Sequence, residues 1–226
     1  KNEANNGGGV YINSRSSDTS FTIFTMKGGS ISGNLCRKNV EAAAVYVKGK
    51  NAKFVMNYGL IEENIAQFGT NNGCAVKVDM GGYFELNGGT ISNNKGNGVS
   101  VTTYNWNTPF VYSSFTMNDG TITGNETTTT SGATHAGGAG VLVEDGCTFT
   151  MNGGAITGNT AFSYGGGIYI VDATFVMNDG DITENTATNE GGGGVCVSNG
   201  ATMEMFGGSI TENNAQYGGG VYINSS

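Results

Sequence analysis

At 226 residues with 37% hydrophobic side chains, the chain has the length of one large domain or one solenoid segment, and its 40 glycines with one proline follow no Gly-x-y period that would make it collagen. A net charge of −8 with only ten Lys and Arg argues against nucleic acid, whose phosphates need clustered bases. No run of 18 apolar residues occurs, so no membrane insertion is expected of this segment, and with 12% charged residues its surface must be covered by Asn, Thr and Ser.

The chain opens at Lys1 with neither an initiating Met nor a signal-like apolar stretch. Asn2-Glu3-Ala4 followed by Gly7-Gly8-Gly9-Val10 reads as the second half of a repeat, and Gly218-Gly219-Gly220-Val221-Tyr222-Ile223 closes at the same phase without a cap. The expectation is an excerpt of a longer protein, or a unit that stacks end to end through open sheet edges.

From Phe24 onward one template recurs, Phe-x-Met-Asn-Gly-Gly-x-Ile-x-x-Asn, with ten residues from first to last position each time. The pairs are Phe24 with Asn34, Phe54 with Asn64, Phe84 with Asn94, Phe115 with Asn125, Phe149 with Asn159, Phe175 with Asn185 and Met203 with Asn213. From one pair to the next the distance drifts between 26 and 34 residues, so a rigid segment recurs and insertions collect at particular corners, as in a solenoid.

Each coil reads as three short strands. The first is Val-x-Val, as in Val45-Tyr46-Val47, Val141-Leu142-Val143, Ile168-Tyr169-Ile170 and Val195-Cys196-Val197, with the branched residues inward and the middle residue outward. The second is Phe-x-Met, as in Phe54-Val55-Met56, and the third is x-Ile-x, whose Ile31, Ile61, Ile91, Ile122, Ile156, Ile182 and Ile210 form one inward column. Stacked at about 4.8 Å per coil, these make a continuous core. The predicted fold is therefore all-β, a right-handed single-stranded parallel β-helix of about seven coils spanning 1–226 as a single segment. Two columns of asparagine should hydrogen-bond from coil to coil: Asn57, Asn87, Asn118, Asn152 and Asn178 at the Asn-Gly-Gly corner, and Asn34, Asn64, Asn94, Asn125, Asn159, Asn185 and Asn213 after the third strand. Their expected role is structural rather than ligand binding.

Insertions fall at 13–20, 102–114 and 126–137. The last two come from neighbouring coils and are placed to form a raised patch near the middle of the rod. The 102–114 segment holds Tyr104, Trp106, Pro109, Phe110 and Tyr112, including the chain's only Trp and only Pro. Its rings either stack on sugars or anchor a protein partner, or fold back over the solenoid. Tyr104, Trp106, Phe110 and Tyr112 are the candidate ligand-binding residues.

The run Ile182-Thr183-Glu184-Asn185-Thr186-Ala187 leading to Gly192-Gly193-Gly194-Val195 resembles the paired repeat of chlamydial polymorphic membrane proteins, in which Phe-x-x-Asn-x-Ala precedes Gly-Gly-Ala-Ile. The same pairing recurs from Ile156 to Ala161 with Gly165-Gly166-Gly167-Ile168, and from Ile210 to Ala215 with Gly218-Gly219-Gly220-Val221. The chain also looks like the Gly- and Asn-rich adhesin-like repeat proteins of gut bacteria and methanogenic archaea. What the resemblance implies is a right-handed parallel β-helix at an extracellular or cell-surface location, serving in adhesion to a glycan or a surface protein of a host or neighbouring cell.

Polysaccharide lyases and polygalacturonases use this kind of fold, so catalysis is one reading of it. The one histidine, His135, lies in a Thr-rich insertion, and no Arg or Lys stacks with paired Asp, so no catalytic residues are assigned. A self-stacking fibre or stalk is the main alternative to the adhesin-like scaffold, and a carbohydrate-active enzyme of the pectate-lyase type a lesser one. Asp179, Asp181 and Glu184, with Glu212 stacked beneath Glu184, either splay into water or are bridged by calcium; no other cofactor is expected. Thr121-Ile122-Thr123 hints at an ice-binding face, but Leu60, Glu62, Ala155 and Asp181 interrupt its outward columns. The four cysteines share no metal spacing and are expected to be free thiols packed as small hydrophobes.

Overall fold

The computed structural model describes residues 1–15, 17–37, 41–68, 71–103, 111–128 and 137–224. Among these every regular element is a strand, and nearly all pairing is parallel and coil to coil. The chain is a parallel β-helix of about seven coils.

The Val-x-Val segments form one sheet of eight strands, from Val10–Asn13 through Ala42–Lys48, Cys74–Asp79, Asn97–Val101, Val141–Glu144, Ile168–Val171 and Val195–Ser198 to Val221–Asn224. The Phe and Ile segments make the second wall. In the first four coils they run on as one strand through the glycine corner: Thr22–Ser32, Ala52–Glu62, Tyr83–Ser92 and Ser114–Thr123. In the next three they separate, as in Thr148–Met151 and Ala155–Thr157. A third, narrow wall lies outside the three strands read from the template. It pairs Glu3–Ala4 with Leu35–Cys36, then continues through single bridges at Ile65 and Lys95 to Glu126–Thr127, Thr160–Ala161 and Thr186–Ala187.

The register is the one the ten-residue spacing requires. Ile61, Ile91, Ile122, Ile156, Ile182 and Ile210 are Cα partners in succession. Phe24, Phe54, Phe84, Phe115, Phe149 and Phe175 stack with centroids 4.7–5.3 Å apart and ring planes within 13°. Coil spacing sets that distance, so each ring fills its layer and lies in offset contact with the next, adding about 0.5–1.5 kcal/mol per pair beyond area burial. The Met column beside it and the inward Val and Ile residues complete a single core cluster running the length of the rod.

Two glycine positions show how closely adjacent coils approach, although Ala44 and Ala75 take the second position in two coils. Gly154 has φ +84°, and a Cβ on it would meet the Gly120 carbonyl at 2.6 Å and Met117 Cε at 2.7 Å. Gly167 ends a Gly-Gly-Gly run where a Cβ would strike the Gly194 carbonyl at 2.7 Å and Asn185 Nδ2 at 3.0 Å. These glycines let adjacent coils and the asparagine column close up.

That column is the polar spine of the core. Each asparagine from Asn34 to Asn185 donates its backbone N–H and its Nδ2–H to the Oδ1 of the asparagine one coil on, at 2.8–3.1 Å. The second Nδ2 hydrogen reaches back to the preceding coil's Ile carbonyl, as Asn94 does to Ile61 at 3.1 Å and Asn159 to Ile122 at 2.9 Å. One amide therefore ties three coils together, and burial is tolerable because both its hydrogens and its oxygen are satisfied. The corner asparagines form the second ladder, on the surface, with Nδ2 donating to the preceding coil's Oδ1 at 2.7–3.0 Å.

Candidate functional site

The coil walls leave function to the corners and outer faces. The candidate aromatic residues Tyr104, Trp106 and Phe110, together with His135, lie outside the described residues; Tyr112 lies within them and is exposed. The feet of the 102–114 insertion are fixed. Ser113 N–H donates to Thr103 Oγ1 at 3.1 Å, Thr103 Oγ1 lies 3.2 Å from Cys147 Sγ, and Gly81 N–H donates to Ser113 Oγ at 3.1 Å. Thr102, Thr103 and Ser113 are all buried. Val111 rests on Gly81, where a Cβ would meet its Cγ1 at 2.4 Å, and the Tyr112 ring rests on Gly146, where a Cβ would meet its Cε1 at 2.5 Å. The insertion thus springs from a root pinned to the coil on either side of its own.

Next to that root lies the outer face of the valine sheet. Alternation places Tyr11, Tyr46, Lys77, Ser100, Leu142, Tyr169, Cys196 and Tyr222 in one outward column, and the register bears this out. Their exposure departs from expectation. Tyr46, Lys77, Ser100, Leu142, Tyr169 and Cys196 are all buried, so this face is not a water-facing wall.

Burial there is made tolerable by pairing. Tyr46 OH donates to Asp79 Oδ2 at 2.9 Å, and Lys77 Nζ lies 3.6 Å from Glu41 Oε2 and 5.9 Å from the Tyr46 ring centre. Burial, followed by the Asp79 and Glu41 carboxylates, pushes the Tyr46 phenol far above its ordinary range. Burial does the same to the Cys74 thiol below it. The arrangement is a desolvated Glu–Lys–Asp–Tyr network at the edge of the patch.

Towards the other end of the same face the rings Tyr169, Tyr164, Tyr222 and Tyr217 follow one another at centroid distances of 5.6, 6.4 and 6.1 Å. Tyr164 comes from the variable corner after Ala161 and packs against the Leu142, Tyr169 and Cys196 cluster together with Tyr222. Gly137 and Gly191 make room, since a Cβ on either would strike the Tyr169 or Tyr222 ring at 2.6 and 2.4 Å. Burial and then the Glu190 carboxylate push the Tyr164 phenol up. Sequence reasoning missed Tyr164 because the corner that carries it varies in length; the signal was a tyrosine before Gly-Gly-Gly in two coils, Tyr164 and Tyr217.

All four cysteines are buried thiols, and burial raises those of Cys147 and Cys196 to about 11. The carboxylates considered for calcium have separate local roles. Asp179 Oδ1 accepts from Gly180 N–H at 2.9 Å, Asp181 Oδ1 accepts from Ser209 Oγ at 2.6 Å, and Glu184 and Glu212 sit exposed at left-handed turn positions with φ 58° and 57°. Among the described residues no three His, Cys, Asp or Glu side chains gather to hold a metal ion.

No family model, no curated protein and no solved structure matches this chain.

Proposed function

We propose that the chain is a segment of an extracellular or cell-surface β-helix acting as a non-catalytic, adhesin-like scaffold. Its coils set a fixed height and direction, and the 102–114 insertion contacts a glycan or a surface protein of a host or neighbouring cell. One observation carries this reading: the insertion's root, Thr102, Thr103 and Ser113, is buried and hydrogen-bonded to adjacent coils at Val78, Cys147 and Gly81. A rooted loop loses less conformational freedom on binding than a free one. The interior is locked along its length by the phenylalanine stack and the buried amide ladder, as a spacer requires.

The reading is tested by screening the purified chain against immobilised glycans and cell surfaces. The expected result is binding that falls at least tenfold in the Trp106→Ala and Tyr112→Ala variants while the strand signature in circular dichroism is unchanged. Concentration-dependent filaments with no ligand binding would instead establish a self-stacking fibre. Release of reducing or unsaturated sugars from pectin-like polymers would overturn the non-catalytic assignment.

A further inference from the structure

All ten Lys and Arg fall within residues 1–95, whereas 11 of the 18 Asp and Glu fall within 96–226. In a solenoid, position in sequence is position along the rod, so the later coils present acids with no base among them. On one face of those coils lies the tyrosine ribbon. Tyr169 is nearly buried and serves as its base, Tyr164 and Tyr222 are half-buried, and Tyr217 is exposed. The Tyr164 and Tyr222 rings are almost parallel, with planes 2° apart and centres 6.4 Å apart. The Glu190 carboxylate stands beside the Tyr164 hydroxyl, and the Asn189 side chain is fixed next to it by donating from Nδ2 to the Phe162 carbonyl at 2.9 Å.

We infer that this ribbon is a second recognition site, distinct from the 102–114 insertion, and that it takes a chain of neutral pyranose sugars. The inference rests on the scaffold reading above and adds a site and a ligand class to it. The chemistry is specific in three respects. Flat aromatic faces pack against the C–H face of a pyranose ring, and tyrosine suits a surface that is half wet because its ring is apolar and its hydroxyl is not. The rings are held before any ligand arrives, by packing on Leu142 and Cys196 and by the space at Gly137 and Gly191, so little ordering cost remains. A carboxylate at the rim accepts sugar hydroxyls and repels uronates and other anionic sugars, as do the acids of these coils, which no Lys or Arg of the same coils offsets.

The test is isothermal titration of the intact chain with cellohexaose, chitohexaose and hexagalacturonate, repeated with Tyr164→Ala, Tyr164→Phe and Trp106→Ala. The expected result is that at least one neutral hexasaccharide binds and that hexagalacturonate binds at least tenfold more weakly. Tyr164→Ala should weaken neutral binding about tenfold and Tyr164→Phe less. Thermal melts of the variants show whether the fold is intact, and Tyr164→Phe keeps the ring where Tyr164→Ala removes it. Unchanged affinity in Tyr164→Ala, equal binding of hexagalacturonate, or no binding of either neutral sugar overturns the site. Binding lost in Trp106→Ala and kept in Tyr164→Ala also removes this site but leaves the scaffold reading standing.

Discussion

Asn118 and Asn125 lie seven residues apart in the same coil, and each belongs to a row of amides bonded from coil to coil, yet the two rows differ in direction and in setting. Asn125 is fully buried, donates forward from N–H and Nδ2 to Asn159 Oδ1 at 3.0 Å each, and accepts two bonds from Asn94 at 3.1 and 2.8 Å. Asn118 is exposed, donates backward to Asn87 at 2.7 Å and accepts one bond from Asn152 at 2.8 Å. The comparison separates hydrogen-bond geometry from hydrogen-bond consequence. Both rows are well formed, but only in the inner one does losing a partner strand a donor away from water.

The largest effect should therefore come from Asn125→Ala. It leaves the Asn94 N–H and Nδ2–H without their acceptor and removes the Nδ2–H that Ile91 accepts at 3.1 Å. At about 1–3 kcal/mol for each stranded group, a destabilisation of about 3 kcal/mol or more is expected, read as a lower midpoint in urea. A double-mutant cycle of Asn125→Ala with Asn94→Ala should be non-additive, because the second substitution removes the Nδ2–H that the first strands and leaves only the backbone N–H of residue 94 without its acceptor. Additive losses would mean that the ladder's bonds act independently.

The inner ladder was legible in the sequence because its spacing from phenylalanine never changes, and a fixed spacing in a parallel stack can only produce a row. For the same reason the alignment of Ile91, Ile122 and Ile156 and the phenylalanine stack could be read directly. Alternation, however, gives only the direction of a side chain. It placed Lys77 and Tyr46 outward correctly but carried no information about what lies beyond them, so their burial beside Glu41 and Asp79 was not foreseen. The narrow third wall was invisible for another reason. It pairs Leu35, Ile65, Lys95 and Glu126 in succession through backbone bridges, with a side-chain ion pair only between Lys95 and Glu126, and side chains so unlike form no recurring column. Of the candidate site, the insertion stood out by its composition, whereas Tyr164 reaches the ribbon from a corner whose length varies and so has no fixed column.

Burial should also govern what alkali does to the rod. The Cys147 thiol is raised by burial to about 11 in the folded chain, against about 8.5 for an unfolded cysteine. A group raised in this way holds its proton in the folded state, so its contribution is fully present below about pH 8.5 and is lost as pH rises towards 11. Each such thiol should cost about 1.4 kcal/mol per pH unit across that window. Urea midpoints measured between pH 8 and 11 should fall steadily, and the slope should be shallower in Cys147→Ala. An unchanged slope in that variant would place the alkaline transition elsewhere, on Cys196, Cys74 or Tyr46, whose shifts run in the same direction.

The smallest effect tests the outer row. Asn118→Ala deletes one donated and one accepted bond, but water replaces both, since Asn118 is exposed and Asn87 is half-exposed. A change within about 0.5 kcal/mol is expected, near the limit of what a denaturant midpoint resolves. A loss approaching that of Asn125→Ala would mean that the corner amides lock coil spacing cooperatively, and the glycine bend beside them would then owe its shape to the ladder. A small loss would leave that bend to Gly120, whose φ of +105° and whose approach to the Gly89 carbonyl, 2.9 Å from where a Cβ would stand, already require glycine.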